Sequence, residues 1–392
     1  MLELYEADGA FEALEAYLAA ELHEGLVADV YLGYGLGEPL RREPWPAPAE
    51  PCPLPLLAAQ IRASNRLLQA GSSAGSATND ASNRLLQADS SAGSGTKDAS
   101  NRLLQAGSSA GNGTNDASNR LLQAPFRLGE WEATWAPEDY AAAVDQVRAA
   151  IARGDVYQVN LVQHLSAPFE GSPYALADSL APLQPLHARP LVSEGWAIVS
   201  ASPELFLARR GDRLVTMPIK GTRPIGEDVD DAKDAAEHVM IVDLERNDLS
   251  RVCEVGSIRW PELMAQHELA GVTHLVSTVE GRVRSDATLA EILRATFPGG
   301  SITGAPKISA LDHIARLEPV GRGASMGALG TIQANGDFEL ALTIRTFAVA
   351  EGRAHLWVGG GIVWDSDPEA EIEESWVKAR PLLAAVGGLV RA

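Results

Sequence analysis

Two acidic pairs stand at helical spacing. In KDAAEHVMIVDLERND, Asp234 and Glu237 are three residues apart, and Ile241 and Glu245 continue the same face. In PEAEIEESWVKARP, Glu371 and Glu374 repeat the spacing near the C-terminus. Two helices that each present such a pair could hold one hard divalent ion, and Mg²⁺ suits carboxylate oxygens while keeping water or substrate oxygens in its shell. A solvated acidic face would account equally well for either pair taken alone.

The other reactive groups sit at strand ends and glycine-rich turns. Lys220, in PIKGT, closes an apolar strand just before a glycine; a lysine desolvated there loses its proton more readily and becomes a nucleophile, whereas one turned outward is only a surface charge. FPGGSITGAPK, residues 297–307, runs a glycine-rich turn into a helix start whose N–H groups could cradle an anion. Gly359, Gly360 and Gly361 let a ligand approach backbone closely, unless they serve turn geometry alone. Arg345, read as lying inside a strand of alternating apolar residues, suits bidentate carboxylate recognition. His274 opens a strand as a ligand contact or a half-buried core histidine.

The elements that must position these groups follow from local signals. Residues 1–62 read as a shortened N-terminal region: one amphipathic helix from about Gly9 to Leu26, then an extended proline-rich stretch, EPWPAPAEPCPLP. Residues 125–392 read as the catalytic unit. Pro137 and Gly154 bracket a helix, YQVNLVQHLSA follows as a strand, and Ser172-Pro173 opens another helix. WAIVSAS, ELFLARR and RLVTMPI read as strands, the last two joined at Gly211-Asp212. A long helix is expected from about Asp230 to Arg251, then the strand HLVSTVEGRV and helices near Leu289 and Ile308. Asn335-Gly336 marks a hairpin between GALGTIQ and DFELALTIRTF, and AHLWVGGGIV leads to a helix from about Pro368. Clustered strands with interspersed long helices predict an α+β architecture, a layered β-sheet core flanked by helices.

Between these parts, residues 63–124 repeat the octamer ASNRLLQA from Ala63, Ala81, Ala99 and Ala117, a period of 18 residues. Each copy offers two leucines to bury and the spacers are rich in Gly, Ser, Asn and Thr, so a low-complexity insertion without a packed fold is expected rather than a solenoid. The 392 residues carry a formal net charge of −20, which opposes both a nucleic-acid surface and anionic lipid. No apolar run is long enough to span a bilayer. Two cysteines, Cys52 and Cys253, without metal-ligand spacing, fit a reducing cytoplasm.

Taken in order, SPELF, PIKGT, AEH with DLERNDL, HLVSTVEG, PGGSITGAPK, TIRTF, GGGIV and the final E-x-x-E resemble the chorismate-utilising enzymes across residues 137–392. That family includes anthranilate synthase component I, aminodeoxychorismate synthase component I, and the isochorismate and salicylate synthases. The resemblance implies the anthranilate synthase component I-like fold and a Mg²⁺ cofactor held by Glu237 and Glu374, with Glu371 beside them. Asp234 stands where a glutamate is usual. Glu204 of SPELF matches the general acid that assists loss of the ring hydroxyl. His274 and Arg345 match substrate contacts, Arg345 to the enolpyruvyl carboxylate. Ser301 takes a position usually held by Thr, and Gly361 matches a backbone contact to that carboxylate.

Two positions separate the members. Gln158 replaces the lysine that activates water in the isochorismate and salicylate synthases, which disfavours a water-adding enzyme. Lys220 gives PIKGT where anthranilate synthases read PIAGT, and so resembles aminodeoxychorismate synthase, in which the lysine attacks the ring before ammonia displaces it. The implied partner is a separate glutamine amidotransferase subunit that supplies ammonia. Anthranilate synthase component I, with Lys220 a bystander, is the nearest alternative. A catalytically inactive chorismate-binding or regulatory module is another, kept open by Ser325, which stands where relatives carry Tyr. No tryptophan-binding signature is recognisable before residue 125.

Overall fold

A computed structural model describes residues 1–43, 45–64, 125–224, 232–269 and 272–388. All but the first two residues of the repeat segment 63–124 lie outside them. In chain order the N-terminal part supplies β1 (Leu2–Leu4), α1 (Ala10–Glu21), β2 (Leu26–Leu32) and β3 (Leu57–Ala63). After the repeat come β4 (Arg127–Leu128), β5 (Glu132–Ala133), α2 (Pro137–Arg153), β6 (Gln158–Glu170) and α3 (Pro173–Leu180). Then follow β7 (Leu191–Ser193), β8 (Trp196–Ser200), β9 (Leu205–Arg210), β10 (Arg213–Met217), β11 (Ile219–Pro224) and α4 (Ala232–Ser250). β12 (Arg259–Leu269), β13 (Val272–Arg282), α5 (Leu289–Thr296), β14 (Gly304–Ala305) and α6 (Lys307–Leu317) lead to the last group. That group is β15 (Ala328–Gln333), β16 (Phe338–Leu342), β17 (Thr346–Ala350), β18 (Arg353–Ile362) and α7 (Pro368–Ala385).

Among the described residues the strands form two sheets. The first runs β1-β3-β2-β15-β16-β9-β10-β13-β11, with β12 also on β13; the second runs β14-β6-β18-β17-β8-β7, with β4 and β5 on β6. The α+β expectation holds. Residues 1–63 give three strands to the first sheet, through β2 paired along β15 from Leu32↔Ala328 to Val27↔Gln333.

Local chemistry accounts for most boundaries. α2 starts on Pro137 and ends where Gly154 takes φ 81, as its bracketing residues require. It buries Tyr140, Ala143, Val144, Val147 and Ala150 along one stripe and packs against α7; each large apolar side chain so buried contributes about 1.5–3 kcal/mol. Thr288 and Glu291 close a capping box on α5. α4 is pinned to β13 by buried His238, whose Nε2 lies 2.6 Å from Ser277 Oγ.

Three expectations need correction. α1 stops at Glu21 rather than near Leu26, because Gly25 at φ 85 turns the chain and the β-branched and aromatic residues of LVADVYL pair as a strand. β2, β3 and β12 lie outside the expected elements; β2 and β3 are fixed by partners distant in sequence, whereas β12 forms a local hairpin with β13. Arg345 does not lie inside a strand. The chain leaves the first sheet after Leu342 and enters the second at Thr346, and Arg345 sits at the crossing with φ 50. No described helix is long and apolar enough to cross a membrane.

Candidate active site

The chain passes between the two sheets twice in close company. β8 of the second sheet leads through Ser202-Pro203-Glu204 into β9 of the first, and β16 returns through Thr343-Ile344-Arg345 into β17. The crossings are tied together: Ala201 N–H donates to the Arg345 carbonyl at 3.0 Å and Leu342 N–H to the Glu204 carbonyl at 2.9 Å. This topology sets an acid and a guanidinium side by side, although 141 positions separate them in sequence.

Glu204 is buried. Ser301 Oγ donates to its Oε1 at 3.1 Å, and the Ile219 N–H points at the same oxygen from 3.5 Å. Burial raises its carboxyl above the usual glutamate range, opposed by the Lys220 ammonium, the Ser301 hydroxyl, the Ile219 N–H and Arg345. Burial also lowers the Arg345 guanidinium, and Glu204 counteracts that. Lys220 therefore lies within electrostatic reach of Glu204, as does Arg345. A buried carboxyl whose hold on its proton is strengthened, beside a lysine, can act as general acid while the amine acts as nucleophile. His274 pairs with Thr222 across β13 and β11. Its Nδ1–H donates to the Gly221 carbonyl at 3.1 Å, and burial lowers its basicity.

The loop between α5 and α6 connects this cluster to a second one. Ser301 reaches Glu204, and four residues later Gly304-Ala305 pairs with Val159-Gln158. Gly304 has φ 132, and a Cβ there would stand 2.2 Å from the Gln158 carbonyl oxygen, so only glycine fits. Gln158 Nε2 donates to Glu237 Oε2 at 3.1 Å and would be 2.1 Å from a Cβ on Gly361.

Next along β18, a Cβ on Gly360 would meet Glu374 Oε1 at 3.2 Å, Lys378 Nζ at 3.3 Å and Glu371 Oε2 at 3.4 Å. Lys378 Nζ lies 2.7 Å from Glu374 Oε1 and donates to the Gly359 carbonyl at 2.9 Å. Sequence reasoning missed Lys378; its signal was the i,i+4 spacing from Glu374. The structure thus gathers Glu204, Ser301, Lys220 and Arg345 in one group and Glu371, Glu374 and Lys378 in another. Glu237 meets Gln158 beside Gly361. Among the described residues no three His, Cys, Asp or Glu side chains are grouped closely enough to hold a metal ion. The donor chemistry still fits a hard cation: Glu371 and Glu374 offer oxygens around a position left without a side chain. Asp234 lies in α4, with its side chain outside the described residues. Ser325 is buried, and its hydroxyl has no hydrogen-bond partner.

Residues 13–384 match the model of the chorismate binding enzyme family. Over 267 residues the chain is 42% identical to anthranilate synthase component 1 of Thermus thermophilus, covering 65% of this chain and 58% of that protein. Over 266 residues it is 41% identical to aminodeoxychorismate synthase component 1 of Klebsiella aerogenes, covering 64% and 59%. The chain therefore spans less than two thirds of the length of these relatives. The crystal structure of anthranilate synthase component I from Streptococcus pneumoniae superposes with a TM-score of 0.71 at 26% identity, over 92% of this chain and 81% of that one.

Proposed function

The chain belongs to the chorismate binding enzyme family, and from that premise we propose that it aminates chorismate with ammonia to 4-amino-4-deoxychorismate, on the route to para-aminobenzoate and folate. The observation that carries the choice is Lys220 within electrostatic reach of the buried Glu204, whose carboxyl burial raises above the usual glutamate range. Glu204 protonates the C4 hydroxyl of the ring. The Lys220 nitrogen attacks C2 through its lone pair; the C1=C2 and C5=C6 pairs shift to C1=C6 and C4=C5, and the hydroxyl leaves as water. Ammonia then attacks C4, the pairs shift back, and the Lys220 nitrogen is released. The enolpyruvyl group stays on the ring because no lyase step follows.

Arg345 and the backbone at Gly361 take the enolpyruvyl carboxylate, and His274, Ser301 and Gln158 line the ring. Arg345 is suited to its part: it is half-buried, and desolvation strengthens a charge-assisted pair with a carboxylate. Glu237 and Glu374, with Glu371 beside them, would hold Mg²⁺, which when bound supplies positive charge to the ring carboxylate. The name component 1 carried by the relatives supports ammonia delivery by a glutamine amidotransferase subunit. Both cysteines are buried and free, in keeping with the cytoplasmic location we assign.

One observation favours a second reading. The chain is as similar to an anthranilate synthase component as to an aminodeoxychorismate synthase component, so Lys220 could stand by while anthranilate forms. Product mass from chorismate, ammonium and Mg²⁺ decides between them. We expect 4-amino-4-deoxychorismate; anthranilate would overturn the proposal, and no turnover would point to an inactive binding module.

A further inference from the structure

A cavity of about 670 Å³ opens beside the start of α6, and none of the residues assigned to the amination site lines it. Its wall comes from four separate segments: Leu40, Arg42 and Glu43 after the first sheet's β2, the end of α2, the C-terminal half of α4, and α6 from its start to Arg316. Leu244 belongs to that wall. Its side chain also lies against Gly300, where a Cβ would be 2.7 Å from Leu244 Cδ2. The cavity is therefore close behind the loop that carries Ser301, with Leu244 between.

The charges around it are unevenly committed. Four carboxylates line the cavity, and three are already engaged. Asp248 accepts from Lys307 Nζ at 2.5 Å, Asp155 pairs with Arg153 at 2.9 Å, and Asp312 accepts the N–H groups of Arg42 and Glu43 at 3.1 and 3.2 Å. Arg316 donates to His313 Nδ1 at 2.8 Å, which holds that imidazole in its neutral form. Among the described residues, none of the guanidinium groups of Arg42, Arg251 and Arg316 forms an ion pair with a carboxylate. Five basic side chains, Arg42, Arg153, Arg251, Lys307 and Arg316, face four carboxylates, Glu43 being the fourth, so the lining carries a small positive excess in a chain of net charge −20. Guanidinium forks match carboxylate and phosphate oxygens two at a time, and the α6 N-terminus adds positive dipole to the same space. The volume lies within the range of about 300–1,000 Å³ that accommodates a small organic ligand rather than a bare ion.

We propose that this cavity binds a small organic anion bearing two or more acidic groups, at a site separate from the amination centre. The inference does not depend on which product the enzyme makes. Calorimetric titration of the full chain without Mg²⁺ tests it, with inorganic phosphate and succinate as probes and chloride at matched ionic strength as control. Saturable binding of at least one probe is expected, with a Kd of about 1 mM or tighter. Succinate alone would mark the natural ligand as a polycarboxylate, and phosphate alone as a phosphorylated compound. The double variant Arg251→Gln/Arg316→Gln should weaken binding at least about tenfold. Asn247→Glu, on an exposed position of the α4 wall, should weaken it similarly while leaving the fold intact. Arg345→Gln should leave it unchanged. Absence of saturation with both probes overturns the proposal. So does binding that survives the cavity variants but disappears in Arg345→Gln, because the anion would then occupy the amination site.

Discussion

At the scale of single residues, the chemistry rests on which groups keep their protons. Lys220→Ala removes the proposed nucleophile without opening a core cavity, since the side chain is only partly buried. With saturating ammonium, its rate of aminodeoxychorismate formation should fall by about 100-fold or more. Turnover within a factor of two of the parent would eliminate the covalent step. Glu245 provides a second measurable consequence. It is buried, accepts from Thr216 Oγ1 at 2.8 Å, and is pushed up to about 8 by desolvation. The folded chain then keeps a proton that the unfolded chain releases above the ordinary glutamate pKa near 4.3. Stability should accordingly fall as pH rises from about 4.5 to about 8 and level off above it, by several kcal/mol at most. Glu245→Gln should flatten that slope in urea titrations at successive pH values; an identical slope in parent and variant would mean that Glu245 ionises normally in the folded state.

At the scale of elements, one buried ion pair holds the loop that carries Ser301 to the sheet. Arg322 donates to both Glu318 carboxylate oxygens, from Nη2 at 2.8 Å and Nε at 2.9 Å, and also to the Ile302 and Asn160 carbonyls at 3.0 and 2.7 Å. Glu318 in turn accepts the Val162 N–H at 3.0 Å, and the Arg322 guanidinium lies 4.4 Å from the centre of the Tyr34 ring. Arg322→Met leaves a buried carboxylate uncompensated and frees the loop beside Ser301. It should cost about 3–5 kcal/mol in urea unfolding, and Arg322→Met/Glu318→Leu should recover part of that loss. Equal stability of parent and single variant would show the pair to be dispensable. None of this was legible in the sequence, where Arg322 and Glu318 look like ordinary charges near a helix end. The hairpin turns at Gly211-Asp212 and Asn335-Gly336 were legible because a few adjacent residues dictate them. The bracketed helix Pro137–Arg153 was legible for the same reason. The pairing of β2 with β15 and the break at Arg345 were not, because contacts between distant segments decide both. The reactive residue types were readable from motif order, but only the two sheet crossings explain why Glu204 and Arg345 meet.

At the scale of the whole molecule, the fold concentrates a few cations inside a strongly acidic body. Lys220, Arg345 and Lys378 come from a strand of the first sheet, a crossing and the last helix, respectively, whereas the chain carries 52 acidic against 32 basic side chains. A dianionic ring approaching from solution therefore meets repulsion at long range and attraction only on entry. Salt screens the first effect more strongly, since the Debye length shortens from about 30 Å at 0.01 M to about 8 Å at 0.15 M while buried pairs are screened far less. Raising ionic strength across that interval, at fixed saturating Mg²⁺ and ammonium, should thus increase kcat/KM for chorismate by roughly two- to fivefold. The change should appear in KM with kcat nearly constant, because the desolvated groups around Glu204 experience little of the added salt. A decrease in kcat/KM over the same interval would mean that the approach to the site is itself electropositive. The net charge would then describe a remote surface with no bearing on how chorismate arrives.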